Sequence, residues 1–203
     1  IVLLVIFVIS LIITEFIRRW LSIPPESTRA LIHIAGGVIA AAASVFFEPL
    51  FIVVVSLSLI PIVLGAKYLF KKNSIHDIKR ATIGDILFPL GIAASAFLFL
   101  PESLLAYLFA VLVLGLSDGF ASLIGKNFGT HKITFAGHTK TIEGSAIFYL
   151  TTITILSLLL PSLSLPLLLI VPLILTAVEV ILVYGLDDLV LPIVAGYMLM
   201  LIV

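Results

Sequence analysis

The residues best suited to chemistry lie between Ser117 and Ser145, where acids, lysines and glycines follow one another closely. Asp118, Ser122 and Lys126 are spaced four apart, so on a helix their side chains would share one face. The rest of the segment adds Lys132, Lys140, Glu143, Gly144 and Ser145. A glycine packing seam with an interfacial charge is the alternative, but packing does not explain an acid followed by three cations. Carboxylates that hold Mg²⁺ and lysines that hold phosphate are the chemistry this pattern favours.

A second acidic cluster lies near the end of the chain. Glu179 falls within an apolar run, and Asp187 and Asp188 follow Gly185 in a connection that has no basic residue. Adjacent carboxylates repel one another unless a divalent cation or lysines from another loop compensate their charge. The alternative is an acidic turn in contact with water.

Two weaker candidates precede these clusters. Arg29 and His33 are four residues apart and share a helix face, where helix packing with an arginine reaching the membrane interface is equally compatible. Gly84 and Asp85 follow Thr82, and this spacing is also that of a helix capping box. The sequence has no Walker loop, zinc signature or serine nucleophile elbow. The residues alone therefore describe a Mg²⁺-dependent site for a phosphorylated substrate.

The elements that must position these residues are membrane helices. The 203 residues are 62% hydrophobic and 11% charged, against about a quarter charged in soluble proteins. The mean hydropathy is +1.37. A net charge of zero argues against a nucleic-acid partner, and the absence of cysteine excludes disulfides and thiolate metal sites. We expect an all-α, polytopic integral membrane protein.

Apolar runs bounded by charge or proline predict eight transmembrane helices, or seven if one segment is re-entrant. They form a single membrane-embedded domain over residues 1–203. The predicted spans are about 1–21, 30–47, 49–66, 83–100, 103–118, 144–160, 162–183 and 186–203.

The cations predict the orientation of these spans. All eleven Lys and Arg residues fall on odd-numbered connections, chiefly in two long polar stretches, 67–82 and 118–143. The positive-inside rule places those connections in the cytoplasm and both termini outside. Asp118 would then lie at the cytoplasmic, carboxyl-terminal end of span five, where the helix dipole disfavours an acid. All the clusters are expected to open on the cytoplasmic face.

The central motif resembles one shared by two related groups of membrane enzymes. One group contains the CTP-dependent polyprenol kinases (dolichol, phytol and CTP-using diacylglycerol kinases), and the other contains the CDP-diacylglycerol synthases. The residues that carry this resemblance are Asp118-Gly119, Gly125-Lys126, Gly129, Lys132 and Lys140-Thr141-Ile142-Glu143-Gly144-Ser145. Both groups use CTP and Mg²⁺ at the cytoplasmic face of the membrane.

Three further elements resemble the kinases. They are Arg29-x-x-x-His33-x-x-Gly36, the run from Gly84 to Phe88-Pro89-Leu90-Gly91, and Glu179 with Gly185-Leu186-Asp187-Asp188-Leu189-x-x-Pro192. Ala30 replaces a usual lysine and Asp188 a usual asparagine, whereas the terminal signature of the synthases is absent. The resemblance spans roughly residues 29–196. It implies a kinase that phosphorylates a long-chain isoprenoid or lipid alcohol, in a prokaryotic cell membrane or the endoplasmic reticulum.

The resemblance also implies residue roles. Asp118 with Asp187 or Asp188 would hold Mg²⁺, and Glu143 would be a ligand, a base or a partner of Lys140. The residues expected to bind nucleotide or phosphate are Lys126, Lys132, Lys140, Gly144, Ser145, Arg29 and His33, and those in supporting positions are Gly84, Asp85 and Glu179. A cytidylyltransferase acting on a lipid phosphate is the nearest alternative function, and an ion-coupled transporter is a more distant one.

Overall fold

The computed structural model describes residues 25–69, 83–135 and 138–203. Over these ranges the chain forms seven helices and one short antiparallel hairpin. The elements are α1 (Pro25–Phe46), α2 (Pro49–Leu69), α3 (Gly84–Phe99), α4 (Leu104–Phe128), β1 (Lys132–Phe135), β2 (His138–Thr141), α5 (Ile142–Leu159), α6 (Leu165–Ile181) and α7 (Asp187–Ile202). The predicted first span, 1–21, and residues 70–82 of the first polar stretch lie outside the described residues.

The predicted spans two to eight correspond to these seven helices, and most boundaries differ by a few residues. The apolar runs are long enough for a helix, and short connections join α1 to α2, α3 to α4, α5 to α6 and α6 to α7, so these neighbouring helices turn back on one another. Pro49 begins α2, as expected for a residue that needs no backbone donor in the first turn. Ser103 precedes α4 and its side chain accepts a hydrogen bond from the amide of Ala106 at 3.2 Å.

Helix α4 differs from the prediction, because it does not end near Asp118. It passes through a π-helical segment, Val113–Ser117, and continues as an α-helix from Asp118 to Phe128. The negative end of the helix dipole therefore lies near Phe128, and the expectation that Asp118 sits at that end was wrong. Lys126 occupies the last turn, where a cation is favoured.

The remainder of the predicted loop 118–143 folds as a hairpin, which an all-helical interpretation did not include. Strands β1 and β2 pair antiparallel, with Lys132 opposite Thr141 and Ile133 opposite Lys140. The amide of Ile142 donates to the carbonyl of His131 at 2.9 Å and closes the hairpin at its base. β-branched residues in both strands favour this pairing.

Helix α4 is the centre of the fold and contacts α1, α3, α5 and α7. Its first half buries Ala106, Tyr107, Phe109, Ala110 and Val111, and the hydroxyl of Tyr107 donates to the carbonyl of Ala40 on α1 at 3.0 Å. The two helices cross in backbone contact, because a Cβ atom built on Gly37 would lie 2.6 Å from the Cα of Gly115. Both glycines thus serve close helix packing.

Within the described part of the chain, three helical stretches are long and apolar enough to cross a membrane: Arg29–Phe46, Leu104–Phe128 and Ile142–Leu159. Shorter apolar stretches occupy Pro49–Leu64, Gly84–Phe99 and Leu165–Ile181. These helices support association with a membrane.

The first turns of α1, α3, α5 and α7 lie at one end of the bundle. Helices α3 and α7 run in the same direction, since Gly84 approaches Gly185 at one end and Phe99 contacts Gly196 at the other. Helix α1 runs opposite to α4, since Asn127 bonds to Ser27. Four helix amino termini, each with a positive dipole end, therefore converge where the acids lie.

Candidate functional site

A pocket of about 210 Å³ lies at this end of the bundle, between α1, α4, β2, α5, α6 and α7. Its volume is below that of typical pockets for drug-sized ligands, so it suits an ion with a few phosphate groups more than a whole nucleotide. It is lined by Arg29, Ala30, His33, Asp118, Ala121, Ser122, Gly125, Lys126, Thr139, Lys140, Thr141, Gly144, Ser145, Glu179, Gly185, Asp187 and Asp188.

Two acids and a histidine from three helices meet at one side of the pocket. His33 Nδ1 lies 3.4 Å from Asp188 Oδ1 and 3.9 Å from Asp118 Oδ2. One ligand atom from each of these residues falls within 4.8 Å of the others. His33 also stacks on the ring of Phe88, with 4.1 Å between ring centroids, and this contact fixes the imidazole plane. The three side chains are separated by up to 155 positions in sequence, and only the fold brings them together.

Arg29 connects this group to α3. Its guanidinium donates to Asp188 Oδ2 at 3.1 Å, and its Nε lies 3.5 Å from Asp85 Oδ1. Gly84 makes the approach possible, because a Cβ atom there would lie 2.6 Å from Asp188 Oδ2. Thr82, the cap residue of the capping box that the sequence suggests, lies outside the described residues. Asp85 contacts Arg29.

Lys140 reaches the pocket from β2 and contacts the second pair of acids. Its Nζ lies 2.6 Å from Glu179 Oε1 and 3.3 Å from Asp187 Oδ2, and it also donates to the backbone carbonyl of Glu179. An ammonium group has three donors, so all of them are used within the protein. To bind phosphate, as expected from sequence, Lys140 would have to exchange one of these partners.

The acids beside Lys140 stabilise its positive charge. Burial opposes that charge, but the attraction of Glu179 and Asp187 is stronger and raises the pKa of Lys140 above its ordinary value. A raised lysine pKa means that the stabilising charge is present at neutral pH and is lost only as pH rises through the raised value. Lys140 therefore remains a cation under physiological conditions.

The pocket has an excess of negative charge among the described residues. Four carboxylates line it, from Asp118, Glu179, Asp187 and Asp188, and the deep cations beside them are Arg29 and Lys140. Asp188 is only 2% exposed, so water does little to screen it. Carboxylate oxygens are the ligands that Mg²⁺ prefers, and a divalent cation would balance this excess. The donor set therefore fits a divalent ion, which His33, Asp118 and Asp188 could hold.

Glu143 lies outside this group and does not line the pocket. Its Oε1 accepts from the hydroxyl of Thr130 at 2.6 Å and lies 2.7 Å from Nδ1 of His131, and its carboxylate also accepts from the amide of His131. These contacts tie the start of α5 to the residues just before β1. The partners Thr130 and His131 were not identified from sequence, since nothing in their local pattern indicates a contact twelve residues away.

The remaining candidates divide between the rim, the wall and the outside of the pocket. Lys126 is exposed at the rim, and Lys132 is exposed and does not line the pocket. Gly144 and Ser145 form part of the wall. The amide of Gly144 donates to Thr141 Oγ1 at 3.1 Å, so the helix cap already uses this donor.

Searches against protein-family models, curated proteins and solved structures found no match for this chain.

Proposed function

We propose that this protein is a membrane-embedded kinase that transfers the γ-phosphoryl group of CTP to the hydroxyl of a long-chain isoprenoid or lipid alcohol. The apolar tail of such an alcohol stays in the bilayer, and only its hydroxyl must reach the pocket. This division explains why an enzyme for this reaction would consist almost wholly of apolar helices.

One observation carries the proposal: His33, Asp118 and Asp188 bring ligand atoms within 4.8 Å of one another in a pocket that also holds Lys140 and Arg29. Phosphoryl transfer needs positioning and neutralisation of spread negative charge more than covalent help. Acids that can hold a divalent ion beside fixed cations meet that need. The resemblance to the polyprenol kinases adds CTP as the donor and an alcohol as the acceptor.

In this proposal the side chains of the protein position the substrates and neutralise the negative charge of the phosphate groups. Asp118 and Asp188, with Asp187 next to them, would hold Mg²⁺, which when bound supplies positive charge to the phosphate oxygens. Arg29 keeps Asp188 in place, and His33 orients the two carboxylates that flank it. Lys126 at the rim is placed to attract the nucleotide, and Lys140 can turn from Asp187 to phosphate once the ion takes that acid.

The proposed topology has eight spans, with the pocket facing the cytoplasm and both termini outside. Its support is the agreement between charge and structure. The pocket end of the bundle includes Arg29, Lys126, Lys132 and Lys140. The opposite connections carry Glu48, Glu102 and Pro161 with no lysine or arginine. Cations on cytoplasmic connections are the usual determinant of orientation.

The test is incubation of the purified protein with labelled CTP, Mg²⁺, and a panel of prenyl alcohols and lipid phosphates. A kinase yields CDP and a monophosphorylated lipid. Release of pyrophosphate with a CDP-lipid would instead identify a cytidylyltransferase and overturn the proposal. Absence of any nucleotide turnover, together with ion-dependent solute flux in vesicles, would point to a transporter.

A further inference from the structure

Two buried polar atoms in the pocket wall have no partner among the described residues: Glu179 Oε2 and Ser145 Oγ. Glu179 is 5% exposed, and both residues line the pocket. A buried polar atom without a hydrogen bond is costly, and such atoms in native proteins commonly await a ligand or water. The other oxygen of Glu179 is already held by Lys140 at 2.6 Å, so the carboxylate is fixed with one side unused.

These two atoms are presented at the same level of the bundle. Ser145 lies in the first turns of α5 and Glu179 near the end of α6, and these two helices are antiparallel neighbours in contact. Lys140, a few residues before Ser145, touches Glu179 directly. The wall between α5 and α6 therefore carries one hydroxyl and one carboxylate oxygen whose hydrogen-bonding capacity is unused among the described residues.

The hydrogen-bonding capacity of these two atoms favours a ligand with a neutral hydroxyl group. A carboxylate oxygen can only accept a hydrogen bond, whereas a serine hydroxyl can both donate and accept. An alcohol can satisfy both at once by donating to Glu179 and accepting from Ser145. A phosphate group is largely ionised at neutral pH and would be repelled by the carboxylate.

The position also fits an acceptor that comes from the bilayer. Helix α6 is peripheral and contacts mainly α5 and α7. Its outer face exposes Leu169, Ile170, Leu173 and Ile174, which are suited to lipid contact. The unpartnered pair thus lies on the pocket wall that α5 and the peripheral helix α6 form, whereas His33, Asp118 and Asp188 come from α1, α4 and α7.

We infer that Glu179 and Ser145 form the subsite for the acceptor alcohol, with Glu179 Oε2 as the catalytic base and Ser145 Oγ holding the alcohol oxygen. This inference rests on the proposed kinase function and adds the acceptor half of the site. The alcohol's proton passes to Glu179 Oε2 as its oxygen forms a bond to the γ-phosphorus of CTP. The bond between that phosphorus and the β-γ bridging oxygen breaks, and CDP leaves with the electron pair.

The experiment compares Glu179→Gln and Ser145→Ala with wild type for alcohol phosphorylation and Mg²⁺–CTP binding. Glu179→Gln is expected to lower kcat for the alcohol at least ~100-fold, the scale of lost general-base catalysis, with CTP affinity within about threefold. Ser145→Ala is expected to raise KM for the alcohol about tenfold, with a smaller change in kcat. Glu102→Gln and Ser157→Ala are matched controls outside the pocket and should behave as wild type.

Three other results would contradict the subsite assignment or the proposed function. If Glu179→Gln keeps more than about a third of wild-type turnover, no base acts at this position, since general-base loss costs far more. If Glu179→Gln loses CTP affinity in step with turnover, Glu179 acts through Lys140 on the nucleotide, and the subsite assignment is overturned. If wild type phosphorylates no alcohol, the proposed function itself fails, whatever the variants do.

Discussion

The two halves of helix α4 show how packing and chemistry are divided in this protein. The first half, Leu104–Leu112, is apolar, and side chains such as Tyr107 and Phe109 are fully buried. The second half begins at Asp118, and its pocket face also carries Ser122 and Lys126. The first half positions the helix, and the second half uses that position to bring an acid against His33 and close to Asp188. Substitutions in the two halves should therefore have opposite profiles.

Asp118→Asn should have the largest effect on activity. The substitution keeps the shape of the side chain but removes the charge that would hold a divalent ion, and such losses commonly cost a hundredfold or more in rate. The thermal unfolding temperature should change little, because the amide keeps the packing of the side chain and loses only the attraction of the carboxylate to His33. Turnover of labelled CTP and thermal unfolding in detergent measure the two effects. Near-normal turnover would contradict the metal role of Asp118.

Gly37→Val, on the helix that packs against the π-helical segment of α4, should produce the reverse profile. A Cβ atom on Gly37 meets the backbone of Gly115, which cannot move aside as a flexible side chain would. Overpacking of this kind costs about 1–3 kcal/mol of unfolding free energy. Ala42→Val on the exposed side of the same helix is the control and should unfold near the wild-type temperature. Equal unfolding temperatures for the two variants would show that the crossing tolerates expansion.

The effect of Mg²⁺ on the unfolding temperature tests the second half of α4, which carries Asp118, without CTP. An ion that binds the folded state at a hundredfold excess over its dissociation constant stabilises that state by about 2.7 kcal/mol. The unfolding temperature of wild type should rise with millimolar Mg²⁺, and that of Asp118→Asn should rise less. The same rise in both proteins would place the ion elsewhere.

The sequence predicted the described helices well, because proline, glycine or charged residues bound their apolar runs. Pro49 and Gly84 are two such boundaries, each at the start of a helix. The sequence did not predict the continuation of α4 beyond Asp118. Residues 118–143 were predicted as a polar loop, although the four-residue spacing of Asp118, Ser122 and Lys126 indicated a shared helix face, and these residues do lie on an amphipathic helix that faces the pocket. The short strands at 132–135 and 138–141 were missed for a related reason, since hairpins this short are fixed by closure at their base and not by composition.

The candidate site was predictable in its residue types more than in its contacts. Acids without local partners indicated that Asp118 and the pair at 187–188 need charges from elsewhere. The pairing of Arg29 with Asp188 spans 159 positions and depends on how the helices cross, which no local pattern encodes. The outward orientation of Glu143 was not foreseen for the same reason: its motif indicates importance, but not which way the side chain points.

Glu143→Gln should have the smallest effect of these substitutions, although its motif suggested a direct part in catalysis. Glu143 contacts Thr130 and His131 outside the pocket, where water screens its charge, so loss of that charge should disturb the hairpin only moderately. We expect turnover to fall only severalfold, through looser placement of Lys140 on the adjoining strand. A catalytic Glu143 would instead lose turnover by at least ~100-fold.

Thr130→Val separates these two roles, because it removes the hydroxyl that donates to Glu143 while the carboxylate remains. If Glu143 positions the hairpin, Thr130→Val should lower turnover to a similar extent, and the double variant should be less impaired than the product of the single effects. Hydrogen exchange of the amides in β1 and β2 should rise in all three proteins, since the same contact holds the base of the hairpin. Independent, multiplying effects with unchanged exchange would mean that Glu143 acts on the substrate and not on the hairpin.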